Sequence, residues 1–304
     1  MATPKQPPAP YLGRFAPSPS GPLHHGSLLA AVASYLDAKA HNGQWYVRIE
    51  DIDKPRCVDG ATEQILHSLQ HHGLHWDRPV EYQREREPLY HQALTRLQTQ
   101  QQIYYCDCSR RALRQHAGPY PGTCRNRQQT DYRPASADKH ASHAIRFALG
   151  SAADLHFDDR ILGRQQGAAT TLGDFILRRR DGLYAYQLAV VIDDAEQGVS
   201  DIVRGADLLP STPWQIALQR ALGLPQPRYA HLPLLVHRNG DKLSKQTGAA
   251  AIDDRTAGAN LRRALSQLGQ RLPANAEDYS VEQLLDHGSA HWSLSHLPQQ
   301  PIAH

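Results

Sequence analysis

The stretch Ala16-Pro17-Ser18-Pro19-Ser20-Gly21-Pro22-Leu23-His24-His25-Gly26-Ser27 constrains this chain more than any other. It is a Pro/Ser/Gly turn set between a short strand, Gly13 to Ala16, and the start of a helix from about Gly26 to His41. Leu28, Leu29, Val32, Tyr35 and Leu36 recur at helical spacing, and Asn42-Gly43 stops the run. A glycine-containing turn that opens a helix offers free backbone N–H groups and the positive end of the helix dipole, and both favour a phosphate. The imidazoles of His24 and His25 can donate hydrogen bonds to a phosphoryl group whose charge grows in a transition state.

The rest of the first hundred residues continues the rhythm. Trp45 to Ile49 alternates as a strand and ends in Glu50. Ile65, Leu66 and Leu69 mark one helix, and Pro88 to Gln100 another. Strand, helix, strand, helix predicts a parallel α/β sheet, with ligands at the carboxyl ends of its strands. Between Ile103 and Gly167 the periodicity weakens and Cys, Arg, Gly and Pro accumulate, which reads as an insertion. The rhythm resumes at Phe175-Ile176-Leu177, with Asp181-Gly182 as a turn between two short strands and Tyr186 in that hairpin region. A strand is expected over Ser200 to Arg204, a helix over Pro213 to Leu222 and a strand over His231 to Val236. Beyond Ile252 the chain turns helical, with Leu261, Leu265 and Leu268 in register. The expected divisions are a loose tail over 1–10, the first half of the α/β domain over 11–102, a metal-binding insertion over 103–170, the second half over 171–250 and a short helical region over 251–304.

The 304 residues carry 33 Lys and Arg against 30 Asp and Glu, a net charge of +3, which neither demands nor excludes a nucleic-acid partner. There is no apolar run long enough for a membrane span, and the Pro-rich start lacks the apolar core of a signal peptide, so a cytoplasmic protein is expected. Of four cysteines, Cys106, Cys108 and Cys124 fall within 19 residues, which reads as a metal site in a reducing compartment. Zinc takes four ligands, and the spacing alone offers His116 as the fourth. The metal is expected to be structural, pinning an insertion with little core of its own. Arginines cluster around it (Arg110, Arg111, Arg114, Arg125 and Arg127) and again at Arg178-Arg179-Arg180, a set suited to phosphate contacts on RNA.

Lys242-Leu243-Ser244-Lys245 follows a strand and an Asn239-Gly240 turn. Two ammonium groups on such a loop can close over a triphosphate and neutralise charge as pyrophosphate leaves. Arg14 and Arg204 stand at strand ends, as Glu50 does. Arginine reads a carboxylate through bidentate bonds, and a carboxylate accepts an ammonium.

Arg14 to Gly21 together with Leu23-His24-His25-Gly26 resembles the HIGH-type motif of class I glutamyl-tRNA synthetases, and Lys242-Leu243-Ser244-Lys245-Gln246 resembles their KMSKS-type loop, with Leu for Met and Gln for the final Ser. The resemblance covers roughly Gly13 to Ala250. More narrowly, the chain is similar to the glutamyl-Q tRNA(Asp) synthetases, short paralogues that attach glutamate to the queuosine base in the anticodon loop of tRNA(Asp). The resemblance implies a Rossmann catalytic core of the class I aminoacyl-tRNA synthetase type and activation of L-glutamate by ATP with Mg²⁺. It implies that His24, His25 and Lys245 are catalytic, and that ATP is held by His24, Gly26, Lys242, Ser244 and Lys245. It matches Arg14, Phe15, Ala16, Pro17, Ser18, Glu50, Tyr186 and Arg204 to the glutamate site, with Tyr184 a neighbour that could take the Tyr186 role. It points to Tyr120 as the fourth ligand of one structural Zn²⁺. Only about 50 residues follow Ile252, too few for a glutamyl-tRNA synthetase's anticodon-binding part. The alternatives are a truncated glutamyl-tRNA synthetase charging tRNA(Glu), a zinc-containing RNA-binding protein and a nucleotidyltransferase. No protein partner is evident.

Overall fold

The computed structural model describes residues 10–114, 118–125, 143–150, 155–167, 172–236 and 250–303. Lys242, Ser244, Lys245, His116 and Arg127 lie outside them, as does the side chain of Arg110.

The first parallel set is β1 (Leu12–Phe15), β2 (Gln44–Ile49) and β3 (Glu81–Tyr82), in the order β1-β2-β3. The second holds β6 (Phe157–Asp159), β7 (Gly163–Gln165), β9 (Asp201–Gly205) and β10 (Arg228–Leu232) in the order β7-β6-β10-β9, with only β7 antiparallel. The sets meet where the Ser200 N–H bonds the Leu12 carbonyl at 2.9 Å, at the start of β1 and β9. From this seam the chain builds outward in both directions, which is the topological switch point where open α/β sheets bind ligands.

The helix α1 (His25–Ala40) packs across the seam on β1 and β9. Its Leu28, Leu29, Val32 and Leu36 are buried in one core with Trp45 and Val47 of β2. Trp45 is fully buried, and its indole N–H reaches Ser34 Oγ at 3.0 Å. The helix α2 (Ala61–His71) joins the same core through Ile65 and Leu69. A second core joins α3 (Glu87–Thr99) to α5 (Tyr186–Glu196) and α6 (Thr212–Ala221), numbering the Arg110–Arg114 turn of helix as α4.

Three antiparallel strands, β4 (Ile103–Cys106), β5 (Ala144–Phe147) and β8 (Phe175–Arg178), form a separate sheet ordered β4-β5-β8. The two sheets interleave across the division expected near residue 170. Residues 157–159 pair with β10 in the main sheet, while residues 175–178 pair with β5 in the insertion. The Asp181-Gly182 turn leads only to an isolated bridge between Arg178 and Tyr184, and Tyr186 begins a helix instead of lying in a hairpin. The strand expected over 231–236 divides into β10 and β11 (Leu235–Val236).

The C-terminal helices α7 (Ala257–Gln267) and α8 (Val281–Ala290) lie against α1. Their Leu261, Leu265, Leu284 and Leu285 join the first core. At Gly288 a Cβ would come within 3.2 Å of both Leu36 and Leu265, so glycine permits this close approach. The last strand, β12 (Ile302–Ala303), pairs with β11, and Trp292 donates to the fully buried Asp37 of α1 at 3.0 Å. This segment therefore packs as part of the first core. Among the described residues no helix is long and apolar enough to cross a membrane.

Candidate active site

The turn after β1 lines a cleft of about 360 Å³, within the range of small-molecule sites. Phe15, Ala16, Pro17 and Ser18 form one wall, His24 and Gly26 the helix end, and Gly205 and Asp207 the facing wall after β9. His24 is the N-cap of α1, and its ring accepts from the Ser27 backbone N–H at 3.3 Å. A Cβ on Gly26 would come within 3.0 Å of the His24 ring, so a larger residue would press on that imidazole. The structure separates the histidine pair. His25 is buried, and its Nε2 lies 2.6 Å from Gln267 Oε1 of α7, on the side of the helix away from the cleft. His24 borders the cleft, while His25 is turned toward α7. His25 ties the turn to the C-terminal helices.

Both borders of the lysine-bearing segment lie at this cleft. Leu235 lines it, and Ala251 bridges to His24 while the Ile252 N–H bonds the Leu23 carbonyl at 3.0 Å. Beyond that, Asp254 accepts from Ser68 Oγ of α2 at 3.0 Å.

Behind the turn, the predicted glutamate residues share one buried polar cluster. Glu50 follows β2, and its N–H bonds the Pro17 carbonyl at 2.9 Å. Arg14 gives a two-pronged bond to Asp194 of α5, at 3.1 and 3.3 Å. The fully buried Arg48 reaches Asp194 at 2.9 Å and Glu50 at 3.5 Å. Burial pushes the Glu50 carboxyl up to about 7, against the pull of Arg48 and Arg14. Burial also pushes the Asp194 carboxyl up, but Arg14 and Arg48 outweigh it and hold the group below the usual carboxylate range. The Tyr186 phenol is raised by burial and then by Glu50, while Arg204 and Arg14 act in the opposite sense. Arg14, Glu50, Tyr186 and Arg204 are thus brought together. Tyr184 instead packs edge-on against Tyr90 at 5.4 Å.

Arg204 differs from Arg14. Its Nη2 donates to Thr212 Oγ at 2.8 Å and to Gln215 Oε1 at 2.7 Å, both neutral, and no ion pair forms with it among the described residues. Its Nη1 is buried without a hydrogen-bond partner. An arginine held by neutral acceptors with one nitrogen unmatched is prepared for an incoming carboxylate. Sequence reading missed Arg48 and Asp194. The signal available was a charge inside an apolar run, as in Trp45-Tyr46-Val47-Arg48-Ile49.

In the insertion, the thiol sulfurs of Cys106, Cys108 and Cys124 lie within 4.8 Å of one another and can hold a metal ion. The Tyr120 hydroxyl is 3.4 Å from Cys106 Sγ and 3.6 Å from Cys108 Sγ, and Cys108 and Cys124 sulfurs are 3.5 Å apart. Tetrahedral zinc with thiolate bonds of about 2.3 Å sets neighbouring donors about 3.8 Å apart. These three distances lie close to that figure. Burial pushes the Cys106 thiol up, but bonds from Tyr120 and Arg146 outweigh it and leave the thiol below its ordinary value. The Arg146 guanidinium also lies 3.8 Å from the Tyr120 ring centroid. Arg125 donates through its Nε to Asp174 at 3.0 Å and through its Nη2 to the Leu149 carbonyl at 2.8 Å, so it braces the insertion while its side chain stays 38% exposed.

A turn and helix start at a Rossmann switch point, with a buried polar cluster beside them, agree with a class I aminoacyl-tRNA synthetase core. The chain belongs to the class I tRNA synthetases (E and Q), whose catalytic-domain model matches residues 12–278. It is a ligase of the class I aminoacyl-tRNA synthetase type. It is 49% identical over 283 residues to a glutamyl-Q tRNA(Asp) synthetase of Idiomarina loihiensis, covering 93% of this chain and 96% of that protein. It is 49% identical over 290 residues to one from Pseudomonas aeruginosa, covering 95% and 96%. Among solved structures, it superimposes on a glutamate-tRNA synthetase from Elizabethkingia anophelis with a TM-score of 0.80 at 26% identity, over 97% of this chain and 68% of that one.

Proposed function

We propose that this ligase forms glutamyl-adenylate from glutamate and ATP and transfers the glutamyl group to the queuosine base of tRNA(Asp). The observation that carries the amino-acid choice is the pairing of an unneutralised Arg204 with a buried Glu50. The first suits a side-chain carboxylate and the second an α-ammonium. In this reading an oxygen of the substrate α-carboxylate attacks the α-phosphorus of ATP, and pyrophosphate leaves. His24, with Gly26 leaving room at the helix start, stabilises the charge growing on the phosphoryl oxygens. Lys242 and Lys245, with Ser244, act on the same phosphates, probed from a segment whose borders lie at the cleft. A hydroxyl of queuosine then attacks the activated carbonyl, and AMP leaves. Positioning supplies much of the rate. Cys106, Cys108, Cys124 and Tyr120 would hold one Zn²⁺, which would fix the insertion's fold. Mg²⁺ would accompany ATP.

The choice of tRNA rests on the names of relatives nearly half identical to this chain over almost their whole length. The test is transfer of labelled glutamate to tRNA(Asp) with queuosine, the same tRNA without it, and tRNA(Glu). Label on the first alone supports the proposal. Label on tRNA(Glu) replaces it with a glutamyl-tRNA synthetase activity, and label on none leaves an RNA-binding role.

A further inference from the structure

Three adjacent strands carry a line of buried groups, of which the reaction as described uses only Arg204. His231 of β10 stands opposite Arg204 of β9 in the parallel ladder, and Asp159 lies on β6, on the other side of β10. Asp159, His231 and Arg204 are all buried, His231 completely.

The Asp159 carboxylate accepts from His231 Nδ1 at 2.6 Å and from the His231 backbone N–H at 3.1 Å. It also accepts the N–H groups of Ile161 and Leu162, both at 2.9 Å. Every one of these bonds favours an ionised carboxylate, which in turn fixes the imidazole proton on Nδ1. His231 Nε2 is then a lone pair, 3.1 Å from Arg204 Nε and 3.0 Å from Thr212 Oγ. An N–H of Arg204 must donate to it, because a guanidinium has no acceptor.

The outcome is a guanidinium gripped along two edges, by His231 on Nε and by Thr212 and Gln215 on Nη2, with every gripping atom neutral. The only anion in the line, Asp159, is set one imidazole away. Had a carboxylate gripped Arg204 directly, as Asp194 grips Arg14, the charge would be largely satisfied before substrate arrived. A neutral relay holds direction while leaving the charge to the ligand.

We propose that Asp159 and His231 are positioning residues that set side-chain specificity, aiming Arg204 at the substrate's distal carboxylate without neutralising it. This rests on the reading that Arg204 receives the glutamate side chain. The relay favours a carboxylate over the isosteric amide, because only an anion answers the charge left on Arg204.

The experiment is amino-acid-dependent pyrophosphate exchange with the full chain, comparing wild type, His231→Leu, His231→Gln and Thr212→Val, with glutamate and glutamine as substrates. Loss of one charge-assisted bond should raise the glutamate KM of His231→Leu about 10- to 100-fold. The KM for ATP should stay, and the preference for glutamate over glutamine should fall. His231→Gln keeps an oxygen that can accept from Arg204 Nε and should recover most of the loss. If His231→Leu does not fold, Thr212→Val, which keeps the side-chain shape while removing the acceptor on Nη2, carries the same expectation. A glutamate KM and selectivity unchanged in the folded variants would overturn the relay, as would equal rises in both KM values. Wild type that exchanges pyrophosphate without regard to glutamate would instead overturn the underlying reading of the pocket.

Discussion

Glu50 is a carboxyl that the fold buries beside Arg48 while Asp193 and Asp194 compete for the same positive charge. Burial is the largest influence on it and moves its pKa from 4.5 to about 7. A rise of that size corresponds to roughly 3 kcal/mol of differential stability between its two protonation states. The sign follows from proton counting. Below pH 4.5 the folded and unfolded chains both hold the proton, and the group does not oppose folding. Between 4.5 and 7 the folded chain keeps a proton the unfolded chain has lost, so stability falls as pH rises. Above 7 both are ionised and the full penalty stands. Glu50→Gln removes the titration while keeping shape. Urea unfolding of both proteins at pH 5 and pH 8.5 should show the variant gaining roughly 2–3 kcal/mol on wild type between the two pH values. The same variant should lose most glutamate activation, because a neutral amide answers an ammonium poorly. In wild type the KM for glutamate should fall as pH rises toward 7 and level off above it. A stability difference independent of pH would refute the argument, because it would mean Glu50 is already ionised in the folded protein at pH 5.

Asp194→Asn should destabilise the fold by about 3–5 kcal/mol, because Arg14 and Arg48 lose the carboxylate they share in a buried site; thermal unfolding reads this directly. Leu265→Ala, at a fully buried contact of α7 with α1, should cost about 2–5 kcal/mol by urea titration, whereas the same change in a detached C-terminal module would leave the catalytic core's transition in place. Metal analysis should find one zinc per chain, lost in Cys124→Ala, and protease cleavage of that variant should begin within residues 103–178.

The sequence by itself determined the local frame. A turn built from Pro17, Pro19, Gly21 and Gly26 admits few backbone paths, and the periodicity of Leu28, Leu29, Val32 and Leu36 allows α1 little alternative. Three cysteines within 19 residues likewise brought their thiols to one point. Local spacing could not say which way equivalent residues face. His24 and His25 are alike in sequence, yet one borders the cleft and the other is held by Gln267, 242 positions away. Tyr186 and Tyr184 are alike too, and it is the start of α5 that carries one to Glu50 while the other packs on Tyr90. Nor could spacing reveal the electrostatics. Arg14 and Arg204 are each a strand-end arginine, but Asp194 neutralises the first and a neutral imidazole steadies the second. Those partners come from α5 and from β10, the neighbouring strand one crossover further on. Charge balance in a buried site is a property of what the fold brings within a few ångströms, where water no longer screens it, and that is decided only when the sheet closes on its seam.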